Sequence, residues 1–221
     1  MIEAVTNGLE RHGLLVLGGF EPEPEDTLPA HVATVLIVGN VGSAIYPHLQ
    51  HSPEFNQPQP MDNWTRRVVD EVALSSGAKA LFPFDGPPYL PFQRWAMRAD
   101  GRFGRSPLGL LIHSSFGLWS ALRAALLFDR PLDITPGAAT AIPCDDCSTK
   151  PCLSACPVDA FRPGRYDVTS CRAHLGTLSG QDCMMGGCLA RRACPVGRTH
   201  AYDRAHAGFH MRAFRTPGRP S

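Results

Sequence analysis

All eight cysteines of this 221-residue chain lie between positions 144 and 194, and the first 143 residues contain none. They form two sets of four: Cys144, Cys147, Cys152 and Cys156, then Cys171, Cys183, Cys188 and Cys194, each set closing on a Cys-Pro pair. Thiols scattered through an ordinary core have no reason to gather in this way. The spacing therefore predicts a C-terminal part organised around its sulfur atoms and an N-terminal part that is not. Charge divides at the same place: residues 1–143 carry 10 basic and 14 acidic side chains, and residues 144–221 carry 11 and 6. A basic excess beside thiolates suits an anionic prosthetic group or an acidic redox partner, and equally a solvated arginine-rich surface. No aromatic residues interleave with the arginines in the manner of a nucleic-acid site, so nucleic acid is not an expected partner.

The opening MIEAVTNGLERHG lacks the basic region and apolar stretch of a secretory leader, and no run of eighteen apolar residues occurs. The expectation is a cytoplasmic chain without a membrane partner, whose thiols stay reduced. The first set reads C-x2-C-x4-C-x3-C-P, two residues longer in the middle than the run that holds [4Fe-4S] clusters in bacterial ferredoxins. Each such cluster takes four thiolates, so eight cysteines match two clusters with none left over. In two-cluster ferredoxins the last cysteine of each run ligates the other cluster. Applied here, one cluster takes Cys144, Cys147, Cys152 and Cys194, and the other takes Cys156, Cys171, Cys183 and Cys188. Zinc bound by four thiolates, disulfides, and one cluster with four structural thiols are the competing readings.

Several neighbours of the cysteines invite a role. Lys150-Pro151 sits in the lengthened loop, placed to shape or charge the first cluster's surface. In CMMGGC, Gly186 and Gly187 can take positive φ and turn N–H groups toward sulfide, or make a plain turn, while Met184 and Met185 can shield a cluster. His174 follows Cys171 by three residues, beside a cluster or simply packed. His206 and His210 lie one turn apart in AHAGFHMRAF, which reads as an amphipathic tail packing on the body.

Upstream, IEAVTNGLERHG is spaced as a short helix ending at Gly13, GLLVLGGF reads as a strand, and ATVLIVGN as a strand buried on both faces. DNWTRRVVDEVALSSGA places Trp64, Val68, Val72 and Leu74 at helical spacing, with Asp62 as N-cap and Gly77 as the stop. KALFPF and LGLLIH read as further strands, HSSFG as a turn, and LWSALRAALLF as an apolar segment leading away from it. Strands alternating with helices predict an α/β layer before the cysteines, not a helical bundle.

The order of a four-cysteine run ending in Cys-Pro, a lone cysteine within SCRAHLGT and a final set ending in Cys-Pro resembles the C-terminal module of epoxyqueuosine reductases. The upstream LGLLIHSSFGLWSALRAALLF resembles the segment that helps hold cobalamin in that family, and the resemblance spans roughly residues 80–195. Corrinoid-dependent reductive dehalogenases share the plan of a nitroreductase-like domain followed by two clusters. The resemblance implies an α+β protein: a nitroreductase-like α/β domain over residues 1–140, a two-[4Fe-4S] ferredoxin-like module over 141–200, and a tail over 201–221. It also implies cobalamin or another corrinoid as a cofactor beside the two clusters, and a redox protein as donor or acceptor. The family's catalytic aspartate lies in an Asp-x-x-Pro-x-x-Glu-Arg setting. FDGPPYLPFQR keeps an aspartate, prolines and an arginine at other spacings, which makes Asp85 the candidate acid. No tRNA-binding repeats follow the cysteines, so tRNA is not the expected substrate. Tyr89, Trp95, His113 and Trp119, together with Phe92, fall in the segment expected to face the acceptor, or else belong to the core. The function expected is relay of electrons through two clusters to an acceptor, which would make the chain an iron–sulfur oxidoreductase. The alternative is an electron carrier whose N-terminal domain only docks a partner, and an oxygen-sensing role ranks last.

Overall fold

The computed structural model describes residues 1–162 and 164–216, and the chain divides into two units: residues 1–103 with 120–140, and residues 104–119 with 141–221. The fold is mixed, with helices and small antiparallel sheets. In the first unit, β1 (Leu15–Phe20), β2 (Thr34–Val41), β3 (Lys79–Leu81) and β6 (Ser120–Phe128) form one sheet in the order β1-β2-β6-β3. Every neighbouring pair is antiparallel. Residues 34–40 of β2 are all buried, as the continuous apolar run VLIV requires of a strand covered on both faces. The apolar segment after the HSSFG turn is β6, which pairs with β2 on one edge and β3 on the other.

Helices cover this sheet. The first, α1 (Ile2–Glu10), buries Val5 and Leu9. It is followed by α2 (Ile45–Gln50) and α3 (Pro60–Ser76), of which α3 buries Trp64, Val68, Val69 and Val72. Leu74, expected on the same face, is 85% exposed. The α3 helix also starts before the expected cap: Pro60 opens it, and Asp62 lies in the first turn. Proline suits that position because its missing N–H would have no partner there, and the carboxylate favours the positive end of the helix dipole. Gly77 ends α3 at φ 66°, as expected. The α4 helix (Phe92–Ala99) packs on β1 and β2. Gly18 makes that approach possible: it sits at a bulge in β1 with φ 135°, and a Cβ there would lie 2.4 Å from the Ala99 carbonyl oxygen. Two buried polar groups here are held by arginines. Arg98 bridges to Asp26 and Arg123 Nε donates to Asn40 Oδ1 at 2.8 Å.

The boundary of the second unit falls within β4 (Phe103–Arg105), which pairs with β5 (Leu111–His113). The unit continues with α5 (Pro151–Ser154), the β7–β8 hairpin (Phe161–Arg162, Arg165–Tyr166), α6 (Val168–Leu175), α7 (Gln181–Gly186), α8 (Leu189–Ala193) and α9 (Arg204–Arg215). Its core joins Leu108, Ile112 and Leu118 to Cys156, Ala160, Ala190 and Cys194. Two glycine turns meet within it. A Cβ on Gly117 would lie 2.0 Å from the Val196 carbonyl oxygen, and one on Gly197 would lie 2.3 Å from the Phe116 carbonyl carbon. The tail forms α9, capped by Asp203, which accepts the His206 N–H at 2.8 Å. This helix packs on α6 and α7, and the last five residues of the expected tail lie outside the described residues.

Candidate metal centre

All eight cysteines are free thiols. Cys144, Cys147, Cys152 and Cys194 line one cavity of about 50 Å³, together with Ile112, Val196 and the prolines 143, 151 and 195. Local sequence explains how four distant positions converge. Lys150 takes a left-handed conformation ahead of α5, and its Nζ donates to the carbonyl oxygens of Cys144 at 3.0 Å and Cys147 at 3.3 Å. That clasp folds the lengthened loop back on itself and leaves Cys152 on α5. Cys194 ends α8 in an extended conformation, which the following Pro195 favours. Packing of α5 on α8 then brings the two ends together. Burial pushes the Cys144 thiol up from its ordinary value, with Cys194, Cys152 and Cys147 adding to the rise and Lys150 opposing it. Cys152 is raised by burial and by the same neighbours, Cys194 and Cys147.

The other four thiols act on one another in the same way. Cys171, on α6, is raised first by burial and further by Cys156 and Cys183, against a hydrogen bond with the Tyr166 hydroxyl that lowers it. Cys188 is also raised by burial and by Cys171 and Cys183, while the N–H groups of Arg191 and Ala190 pull it down. Those N–H groups are free to do so because Cys188 is the N-cap of α8. Asp167 caps α6 by accepting from Ser170 at 3.0 Å, and Ala160 N–H donates to Cys156 Sγ at 3.3 Å. Tyr166 is raised by burial, by its bond to Cys171 and by the nearby Cys188 and Cys156. The α8 helix carries a thiol of each group at its two ends, and Arg191 holds it in place. Its guanidinium donates twice to the Leu118 carbonyl, at 2.9 and 2.5 Å, and lies between the rings of Trp119 and Tyr202 at 4.7 and 4.4 Å.

The remaining candidates are distributed over both units. Asp85 is half exposed and ion-paired with Arg66. Tyr89 is 52% exposed. Trp95 is fully buried beside Phe92, with ring centroids 5.2 Å apart. His113 is fully buried, and its Nδ1 accepts the N–H groups of Ser115 and Phe116 at 3.1 and 3.2 Å, which places the ring proton of the neutral form on Nε2. Trp119 is buried under Arg191 and Tyr202. The indole N–H groups of Trp95 and Trp119, and Nε2 of His174, are buried without an acceptor or donor among the described residues. Gly187 has positive φ, but its N–H donates to the Cys183 carbonyl, not to a sulfide position, and Gly186 keeps negative φ as the last residue of α7. Met185 is 47% exposed and shields little. Tyr166 and Arg191 are parts of the site that sequence reasoning passes over. Neither lies in a cysteine motif, and Arg191 reaches a carbonyl 73 positions away.

Among the described residues no three His, Cys, Asp or Glu side chains converge to hold a single metal ion. The donor set of each group, four soft thiols lined with proline and aliphatic carbon in the first case, is what an iron–sulfur cluster takes from a protein.

No family model matches the chain, and no curated protein sequence matches it. Solved structures do share its fold. A selenomethionine-labelled epoxyqueuosine reductase aligns over 93% of this chain and 68% of its own length, with a TM-score of 0.53 and 14% identity. The epoxyqueuosine reductase of Streptococcus thermophilus aligns over 90% of this chain and 66% of its own, at 0.52 and 15%. The C. elegans B12-trafficking protein CblC, a homologue of human MMACHC, aligns over 97% of this chain and 94% of its own, at 0.56 and 11%. The chain thus spans about two thirds of the reductases and nearly all of the trafficking protein. At these identities the likeness is one of fold.

Proposed function

We propose that this chain is an iron–sulfur redox protein whose second unit holds two [4Fe-4S] clusters and whose first unit, a nitroreductase-like domain, holds the electron acceptor, a corrinoid. The observation that carries the reading is the convergence of Cys144, Cys147, Cys152 and Cys194 on one cavity, beside which Cys156 and Cys183 act on Cys171, and Cys171 and Cys183 on Cys188. This crossing of the last cysteine of each run into the other group follows the two-cluster ferredoxin pattern. Bound there, the clusters would supply one-electron relays and the corrinoid the reactive centre.

The chain's own residues set the conditions. The Lys150 ammonium, clasped between the carbonyls of Cys144 and Cys147, puts a positive charge beside the first group and favours added electrons there. Arg191 fixes α8 and so the positions of Cys188 and Cys194 at its ends. The Tyr166 hydroxyl favours the thiolate form of Cys171. The corrinoid part of the reading is supported by the fold shared with a B12-trafficking protein. It is also supported by Trp95 of the first unit, whose buried indole N–H lacks a protein acceptor that a bound group can provide.

The test is anaerobic isolation followed by iron and acid-labile sulfide assay, with added cobalamin followed by its absorption spectrum. About eight irons and eight sulfides per chain are expected from two cubanes, together with a shifted cobalamin spectrum. Zinc in place of iron overturns the cluster reading, and iron without any cobalamin binding leaves an electron carrier.

A further inference from the structure

A second cavity, of about 560 Å³, opens within the second unit, inside the size range of small-ligand sites. It touches both thiol groups through their neighbours: Lys150 and Leu153 flank Cys152, and Tyr166 acts on Cys171. Its lining is mostly apolar, with Leu108, Leu153 and Phe161, and its charges are all positive: Lys150, Arg162 and Arg165, with no carboxylate among the described lining residues.

Two features point to what this cavity takes. Arg162 and Arg165, both exposed to solvent, stand directly opposite each other across the β7–β8 pair, two like charges side by side that one anion can bridge. Neither arginine makes an ion pair among the described residues. The nearest acid acting with Arg165, Asp167, has its carboxylate engaged by Ser170 at the start of α6. The second feature is a stack of rings. Tyr166 lies 6.1 Å from Phe214 and 4.6 Å from Phe161, near parallel to both. Phe161 ends the stack at the cavity, with no further ring beside it among the described residues.

We propose that this cavity binds a small planar aromatic anion, a phosphate- or carboxylate-bearing ring compound. Its ring extends the Phe161 stack and its anion answers Arg162 and Arg165. The site rests on the redox reading only for its purpose, as a place where a ring compound sits beside both thiol groups; the binding itself does not depend on that reading.

The test is equilibrium binding by calorimetry to the protein as isolated. Adenosine monophosphate and flavin mononucleotide serve as ring anions, adenosine and riboflavin as rings without the phosphate, and inorganic phosphate as the anion without a ring. At least one ring anion is expected to bind about tenfold tighter than its own ring or than phosphate alone, each decade being about 1.4 kcal/mol. The double variant R162Q/R165Q should lose about tenfold of that affinity, and R162K/R165K should keep most of it. Equal binding of phosphate alone overturns the proposal, as does an unchanged affinity in R162Q/R165Q. A polyglutamate peptide that binds more tightly than either mononucleotide also overturns it, by making the surface a protein-docking one. Iron content, measured on the same samples, separates failure of this proposal from failure of the cluster reading.

Discussion

Glu54 meets Arg67 through two hydrogen bonds, Nε to Oε1 at 2.6 Å and Nη2 to Oε2 at 3.2 Å, with the carboxylate almost wholly buried and the guanidinium half exposed. The arginine holds the Glu54 carboxyl at about 2, well below its ordinary 4.5. A depressed acid stabilises the fold while it is charged. Its contribution is therefore complete above pH 4.5 and disappears as pH falls from there through 2. Replacing it by glutamine is expected to cost about 1–2 kcal/mol at pH 7, since a charged hydrogen-bonded pair becomes a neutral one with a solvent-screened partner. The same change should flatten the acid side of the stability profile. Urea unfolding followed by tryptophan fluorescence at pH 7 and pH 3 checks this; an equal deficit at both values would contradict it. At this scale the eight thiols are legible in the sequence because count, Cys-Pro endings and ferredoxin precedent all point one way. Arg191 and Tyr166 are not legible, because their value arises from partners brought near only by folding. Asp85, read as the candidate acid, is half exposed and ion-paired with Arg66, a partner that local sequence does not announce.

The turns at Gly117 and Gly197 are where the 104–119 segment meets the chain leaving Cys194-Pro195. Gly117→Ala meets both a φ of 58° and a carbonyl oxygen 2.0 Å from the new carbon, so a loss of about 2–3 kcal/mol is expected. Because Val196 must move, the defect should fall on the group containing Cys194, and iron content should drop by about half. Gly109→Ala is the matched control. Its φ is 73° but nothing lies within 4 Å, so only the backbone cost of about 1 kcal/mol applies and full iron should remain. Iron assay with thermal unfolding of both variants separates the two; equal iron loss would show that φ alone matters. Among elements, β2 and α3 are visible in sequence as an apolar run and a helical period. The identity of β6 is not, because LWSALRAALLF is buried almost throughout its second half and shows no alternation. The start of α3 is displaced because proline at its first position outweighs the aspartate read as a cap.

Across the whole molecule, the grouping of thiols makes a prediction about additivity. Cys152→Ser with Cys194→Ser should cost no more iron than either change alone, about four atoms, because both act on one group. Cys152→Ser with Cys156→Ser should remove nearly all iron, although these residues are only four positions apart. Iron and sulfide assays of the two double variants decide the matter, and the reverse ranking would show that each run of four serves its own site. The meeting of Cys194 with Cys144, Cys147 and Cys152 in one cavity is legible from the ferredoxin pattern. The antiparallel order β1-β2-β6-β3 is not, because strand order is set by long-range pairing that no local period encodes.

The second unit is assembled from two stretches of chain, 104–119 and 141–221, with β6 of the first unit threaded between them. Leu108, Ile112 and Leu118, which close the floor beneath Cys156 and Cys194, come from the earlier stretch. The thiol-bearing part is therefore not a cassette. A transplant beginning at residue 141 would leave its apolar underside bare, and during synthesis the early stretch, ending at residue 119, has to wait for Cys156, 37 residues on, and Cys194, 75 residues on, to complete it.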